Sequence, residues 1–226
     1  MRWEDLLFMH WPVPAAVLRP LIPEGLELET FDGSAWIGVV PFRMCDTRLR
    51  YLFPMPTAGA FPELNVRTYV RQGGKHGVWF FSLDAASWIA VHTARRFFHL
   101  PYVHSRMSAT EGETVIRYES ERLEAGAAPA AFRARFRPTA EVQRSQPGSL
   151  AHWLTERYCL YSADRNGTIW RGEIHHEPWP LQEAEAEVEL NTMTPPLKIE
   201  LPDTQPILHF ARRLDVVGWL IERVTR

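Results

Sequence analysis

Glu63, Asn65, Arg67 and Tyr69 occupy alternate positions, with Leu64, Val66, Thr68 and Val70 between them. In a strand this period turns the four polar side chains to one face and the other four to the opposite face. The following stretch, Val78 to Asp84, places Trp79, Phe80 and Phe81 in succession, so both faces are expected to be covered. A polar cluster on a covered face must hydrogen-bond internally or line a cavity. A symmetric turn between the two runs would set Arg67 opposite Ser82 and Asn65 opposite Asp84. Two readings are open. Arg67 and Asp84 form a structural pair or a solvated face, or Glu63, Asn65, Arg67 and Asp84 belong to a pocket wall.

A second group follows a predicted helix. Arg95 and Arg96 fall in its last turn, where the exposed carbonyls and the helix dipole favour cations. A guanidinium fork there could equally hold a carboxylate through two hydrogen bonds. Tyr102 and His104, two residues apart, would share one strand face, with His99 just before them. The residue types suit acid–base work: Glu63 as base, Tyr102 or His104 as proton donor, an arginine holding the ligand. His175-His176-Glu177 does not make a metal motif, because neighbours on a strand face opposite ways, and no HExxH or CxxC accompanies it. No Gly-x-Ser-x-Gly elbow, phosphate loop or Gly-x-Gly-x-x-Gly occurs, so no cofactor is called for.

The run Ala94 to Tyr102 resembles the acetoacetate decarboxylase-like pattern Gly-Arg-Glu-x-x-Gly-x-Pro-Lys, whose lysine forms a Schiff base with a keto acid. Arg95 and Pro101 match it, Arg96 replaces the glutamate, and Tyr102 stands where the lysine would be. FDGSAWIGVVPF, ELNVRTYV and RGEIHHEPWPLQ resemble a bacterial branch of the same superfamily. The resemblance implies a β-rich α+β fold, an antiparallel β-barrel or double-cone with an internal ligand cavity and a few outer helices. It also implies a catalytic glutamate near Glu63, and so convergence of Glu63, Tyr102 and a guanidinium from Arg95 or Arg67. A phenol cannot form a Schiff base. The only lysines, Lys75 in a Gly-rich turn and Lys198 after Pro195-Pro196, are poor substitutes. The expected ligand is a small, carboxylate-bearing organic molecule bound without Schiff-base chemistry. A non-catalytic scaffold with a closed cavity is the remaining alternative.

The elements needed to position these residues follow from the rest of the chain. Its 226 residues, 46% hydrophobic, suffice for one domain over 1–226. A net charge of -2 with interleaved signs speaks against nucleic acid, and no apolar run reaches a membrane span. Two distant cysteines and no secretion signal point to the cytoplasm; a homo-oligomer is left open. Hairpins are predicted around Asp32-Gly33, joining 26–31 to 35–42 with Leu26, Leu28, Ile37 and Val39 on one face, and around 72–77. Others are predicted around Glu111-Gly112-Glu113 and 164–167, with further strands at 131–137 and 184–190. Ser87 should cap a helix to Phe97, and a second helix should span 149–157. For the stretch 207–224 the pattern favours a strand followed by a helix.

Overall fold

The computed structural model describes residues 1–46, 60–112 and 114–224. In chain order the elements are β1 (Arg2–Val13), α1 (Ala15–Leu18), β2 (Glu27–Leu28), β3 (Ala35–Cys45), β4 (Phe61–Gln72), β5 (Lys75–Ala85), α2 (Trp88–Phe98), β6 (Tyr102–Glu111) and β7 (Ile116–Arg122). They continue with β8 (Ala131–Pro138), α3 (Leu150–Thr155), β9 (Cys159–Ala163), β10 (Ile169–His176), β11 (Gln182–Asn191), β12 (Ile207–Gly218) and β13 (Glu222–Arg223). Among the described residues no helix is long and apolar enough to cross a membrane.

Strand pairing closes the sheet twice. One ring runs β12–β1–β3–β4–β5–β9–β10 and returns to β12. The other runs β12–β1–β3–β4–β5–β6–β7–β8–β11 and again returns to β12. The shared strands form a partition, and their period-2 alternation gives each ring its own filling. Leu7, Met9, Ile37, Val39, Leu64 and Val66 face the nine-strand ring, where they meet Tyr118, Phe132, Phe136 and Phe210 in a hydrophobic core. Phe8, Val40, Phe42 and Tyr69 face the seven-strand ring. Each such fully buried side chain stabilises the fold by about 1.5–3 kcal/mol. This is the β-rich fold that the family resemblance implied, built as a ring-like sheet rather than a single clean barrel.

Local sequence sets the elements beside the partition. Gly73 and Gly74, at φ 58° and 77°, make a two-residue turn between β4 and β5. Ser87 accepts a hydrogen bond from the Ala90 amide and starts α2. His99 then ends the helix in a left-handed conformation, φ 53°, ahead of Pro101. Ser149 caps α3 in the same way as Ser87 caps α2.

Two expectations change. The Asp32-Gly33 hairpin shrinks to the Phe31–Ser34 bridge, because the arm before it pairs with β4: Glu27 lies opposite Arg71 and Leu28 opposite Val70. The C-terminal stretch has no helix among the described residues; β12 runs unbroken along β1 and β13 pairs with β10, since edge pairing outweighs the helical spacing. The hairpin β6–β7 forms as expected, although Glu113 of its turn lies outside the described residues.

Candidate functional site

The row Glu63, Asn65, Arg67 and Tyr69 points into the seven-strand ring and is buried along its length, Arg67 being the most accessible at 8%. Gly38 of β3 lies beside both His10 of β1 and Arg67 of β4. A Cβ at Gly38 would stand 3.0 Å from the His10 ring and 3.5 Å from Arg67 Cγ, so glycine lets the imidazole and the arginine stem lie side by side. His10 Nε2 is 2.6 Å from the Tyr69 hydroxyl. Burial, and then the positive charge of Arg67, hold His10 well below the usual histidine range, so the ring is neutral. The Arg67 guanidinium lies 5.2 Å from the centre of the Phe8 ring and donates through Nη2 to the Leu154 carbonyl at 3.3 Å. No carboxylate pairs with it among the described residues.

Arg157, just past α3, reaches the same place. Its guanidinium lies 4.9 Å from the Tyr69 ring centre and 4.5 Å from Trp153, and its Nη1 donates to Glu29. Glu29 also meets His76. Two buried guanidiniums therefore flank one tyrosine, and of the two only Arg157 has a carboxylate partner among the described residues, leaving a surplus positive charge at Arg67. Four polar atoms here are buried without a partner: Arg67 Nε, Arg157 Nη2, His10 Nδ1 and Asn65 Oδ1. Unmet donors and acceptors in a protein interior are costly, about 1–3 kcal/mol each, unless water or a ligand satisfies them.

At the other end Tyr102 donates its hydroxyl to Glu63 Oε2 at 3.0 Å. Parallel pairing of β5 with β6 sets Tyr102 opposite Leu83 and His104 opposite Ala85, so both face the Glu63 side. Burial raises the Glu63 carboxyl to about 8; the Asp84 charge adds to this and the Tyr102 hydrogen bond opposes it. Tyr102 is pushed well above its ordinary value by burial and by Glu63. Tyr118 braces the strand from the opposite ring, donating to the Glu63 backbone carbonyl at 2.7 Å. His104 is half-buried and anchored through its backbone amide to Glu124.

The structure thus sets Glu63, Asn65 and Arg67 along one strand face, with Tyr102 and His104 at the Glu63 end and Arg67 at the other end, so the expected convergence of a guanidinium on Glu63 and Tyr102 is not formed. It takes Asp84 and Arg95 away. The short Gly73-Gly74 turn and a bulge that leaves Phe81 unopposed put Asp84 across from Leu64, not Asn65, and Arg67 across from Phe80, not Ser82. A register change of one residue reverses the face. Asp84 therefore lies in the nine-strand ring, paired with Arg122 and Ser105, and no Arg67–Asp84 pair exists. Arg95 forks onto Glu124 at 2.8 and 2.7 Å and donates Nε to the Tyr102 carbonyl at 2.7 Å, so it positions the Tyr102 backbone. Lys198 is exposed, and Lys75 pairs on the surface with Glu173. His10, Glu29 and Arg157 were not singled out from the sequence. His10 was the readable one, a lone histidine within Leu6–Val13.

Two surface hollows, of about 490 and 440 Å³, share no lining residue with this row. The double ring has the acetoacetate decarboxylase-like fold. The chain superposes on acetoacetate decarboxylase of Legionella pneumophila with a TM-score of 0.65 at 12% identity, covering 100% of this chain and 88% of that one. Its TM-score is 0.64 against an acetoacetate decarboxylase-like enzyme of Sphingomonas wittichii RW1 at 12% identity, covering 99% and 91%. Against the enduracididine biosynthesis enzyme MppR complexed with pyruvate it is 0.62, also at 12% identity, covering 97% and 88%. Within that fold the chain belongs to the DUF2071 family, described as an uncharacterized conserved protein, whose match covers residues 1–215. It is 47% identical over 221 residues to the uncharacterized protein YqjF of Bacillus subtilis (strain 168), spanning 98% of this chain and 90% of that protein.

Proposed function

We propose that this chain binds a small carboxylate-bearing organic molecule inside the seven-strand ring and handles it without a Schiff base, in a cytoplasmic setting. The observation that carries the reading is Arg67: a buried guanidinium with a free Nε and no carboxylate partner among the described residues. A ligand carboxylate would supply the missing charge and accept from that donor. The pyruvate complex of MppR, a protein of the same fold, is consistent with an organic acid as the ligand class.

An uncompensated buried charge destabilises the protein that carries it. Arg67→Met should therefore raise the stability of the ligand-free protein by about 1–2 kcal/mol while abolishing the thermal shift produced by organic acids. Differential scanning fluorimetry with and without acid reads both effects. Loss of stability together with an undiminished ligand shift would refute the assignment.

A second reading, acid–base catalysis on a carbonyl compound, is favoured by one observation. Glu63 is raised to about 8 and is bonded to Tyr102, which lets it carry a proton near neutral pH. One sample separates these chemistries. After incubation with pyruvate and borohydride the protein mass should be unchanged, because Tyr102 replaces the amine. Exchange of the pyruvate methyl protons in D2O, read by NMR, would mark acid–base turnover. A covalent adduct at Lys75 or Lys198 would sink the reading that no Schiff base forms.

A further inference from the structure

The two chemically distinct ends of the site lie at opposite ends of one strand face. Glu63 and Arg67 are separated by four residues of β4, about 13 Å between Cα atoms at the usual strand rise of about 3.3 Å. The Arg67 guanidinium is held by the Leu154 carbonyl and the Phe8 and Tyr69 rings, and the carboxyl end by Tyr102. Between them the β3 neighbours of the row are Phe42 opposite Glu63, Val40 opposite Asn65 and Gly38 opposite Arg67. Trp179 packs edge-on against Phe8 at 4.9 Å on the same side. The wall between the two ends is therefore largely apolar, with Asn65 Oδ1 and Trp179 Nε1 as unpartnered polar atoms along it.

We infer that the ligand is an extended organic acid with an apolar body, its carboxylate held at Arg67 and an uncharged carbonyl oxygen held at Glu63, which Tyr102 positions. This rests on the reading of Arg67 as the anion site and adds to it the length and the second polar group. Allowing for side-chain lean, the ends are about 8–10 Å apart, or about six to eight bonds at roughly 1.3 Å of reach each. In a short oxo acid the carboxyl and keto carbons lie within roughly 3 Å, so such a molecule would reach Arg67 or Glu63 but not both. The second group is uncharged because Glu63 and Tyr102 present hydrogen-bonding atoms and no positive charge to compensate a second carboxylate. A protonated Glu63 has one hydroxyl to donate to such a carbonyl, its other oxygen accepting from Tyr102. The hydrophobic contacts of the intervening methylenes supply affinity that a short acid lacks.

The test is a length series on the wild-type protein, with Kd measured by calorimetry. The probes are straight-chain methyl-ketone acids whose carboxyl and keto carbons are one, two, four, six and eight bonds apart. Alkanoic acids of the same lengths lacking the ketone serve as controls. Affinity should peak at six or eight bonds and be at least about tenfold weaker for the two shortest members. Removing the ketone from the best member should cost about a further tenfold, and Arg67→Met should abolish binding of every member. Tightest binding by the shortest acids, lost in Arg67→Met, would overturn the extended ligand while leaving the anion site intact. So would a series with no ketone effect. No binding by any acid, or binding unchanged in Arg67→Met, would overturn the anion site and this inference with it.

Discussion

Arg122→Ala is expected to destabilise the protein by about 3–5 kcal/mol, the cost of stranding a buried charge. The stranded group is Asp84, which is fully buried in the nine-strand ring. Arg122 reaches both of its oxygens, Nε to Oδ2 at 2.8 Å and Nη2 to Oδ1 at 2.9 Å, a two-point contact whose guanidinium is itself 7% exposed. With Arg122 removed, the one side-chain partner left to Asp84 among the described residues is the Ser105 hydroxyl, 2.8 Å from Oδ2. Urea unfolding at neutral pH measures the loss. The double variant Asp84→Leu with Arg122→Met should recover most of it, since replacing both partners of a buried pair by apolar groups is often neutral or favourable. A single-variant loss below about 1 kcal/mol would mean that water reaches Asp84 and that the ring core is open there.

Asp84 also marks where local sequence stops being informative. The alternation of Glu63, Asn65, Arg67 and Tyr69 with apolar residues was sufficient to put these four on one face, because that face depends on a single strand. Which residue of β5 lies opposite depends on the turn. The sequence Gln72-Gly-Gly-Lys-His-Gly77 admits a two-residue closure at Gly73-Gly74 as readily as a longer one, and the bulge at Phe81 adds one further step. Each odd step exchanges the rings, so Asp84 moved from the expected pocket to the opposite core.

Arg95 failed for a different reason. Its place in the last turn of α2 was legible, but its partner Glu124 comes after the β6–β7 hairpin, and nothing near Arg95 announces it. His10 and Arg157 reach the site only because β1 lies beside β3 and α3 covers the ring, contacts made at long sequence separation. The Glu63–Tyr102 contact was reachable because a family resemblance carried the topology that the residues alone do not encode.

Glu63→Gln is expected to stabilise the protein in a strongly pH-dependent way. The carboxyl has an ordinary value of 4.5 and is raised to about 8 in the fold, chiefly by burial. Between these values the unfolded chain releases the proton while the folded chain keeps it. Stability therefore falls as pH rises through the window from 4.5 to 8, by about 5 kcal/mol in all and about 3 kcal/mol by pH 7. Glutamine keeps an oxygen to accept from Tyr102 and never has to lose a proton, so the variant should lack this decline. Wild type and variant should be nearly equal at pH 4.5 and separate by about 3–5 kcal/mol at pH 8, measured by urea unfolding across the range. A difference that stays constant with pH would show that Glu63 titrates normally, which would require water at the Glu63–Tyr102 contact. A group that lowers stability at working pH and has a neutral isostere is hard to explain by packing. Under the proposed function it would be the proton donor facing the ligand, and the same argument applies to Arg67 at the other end of the row, which pairs with no carboxylate among the described residues.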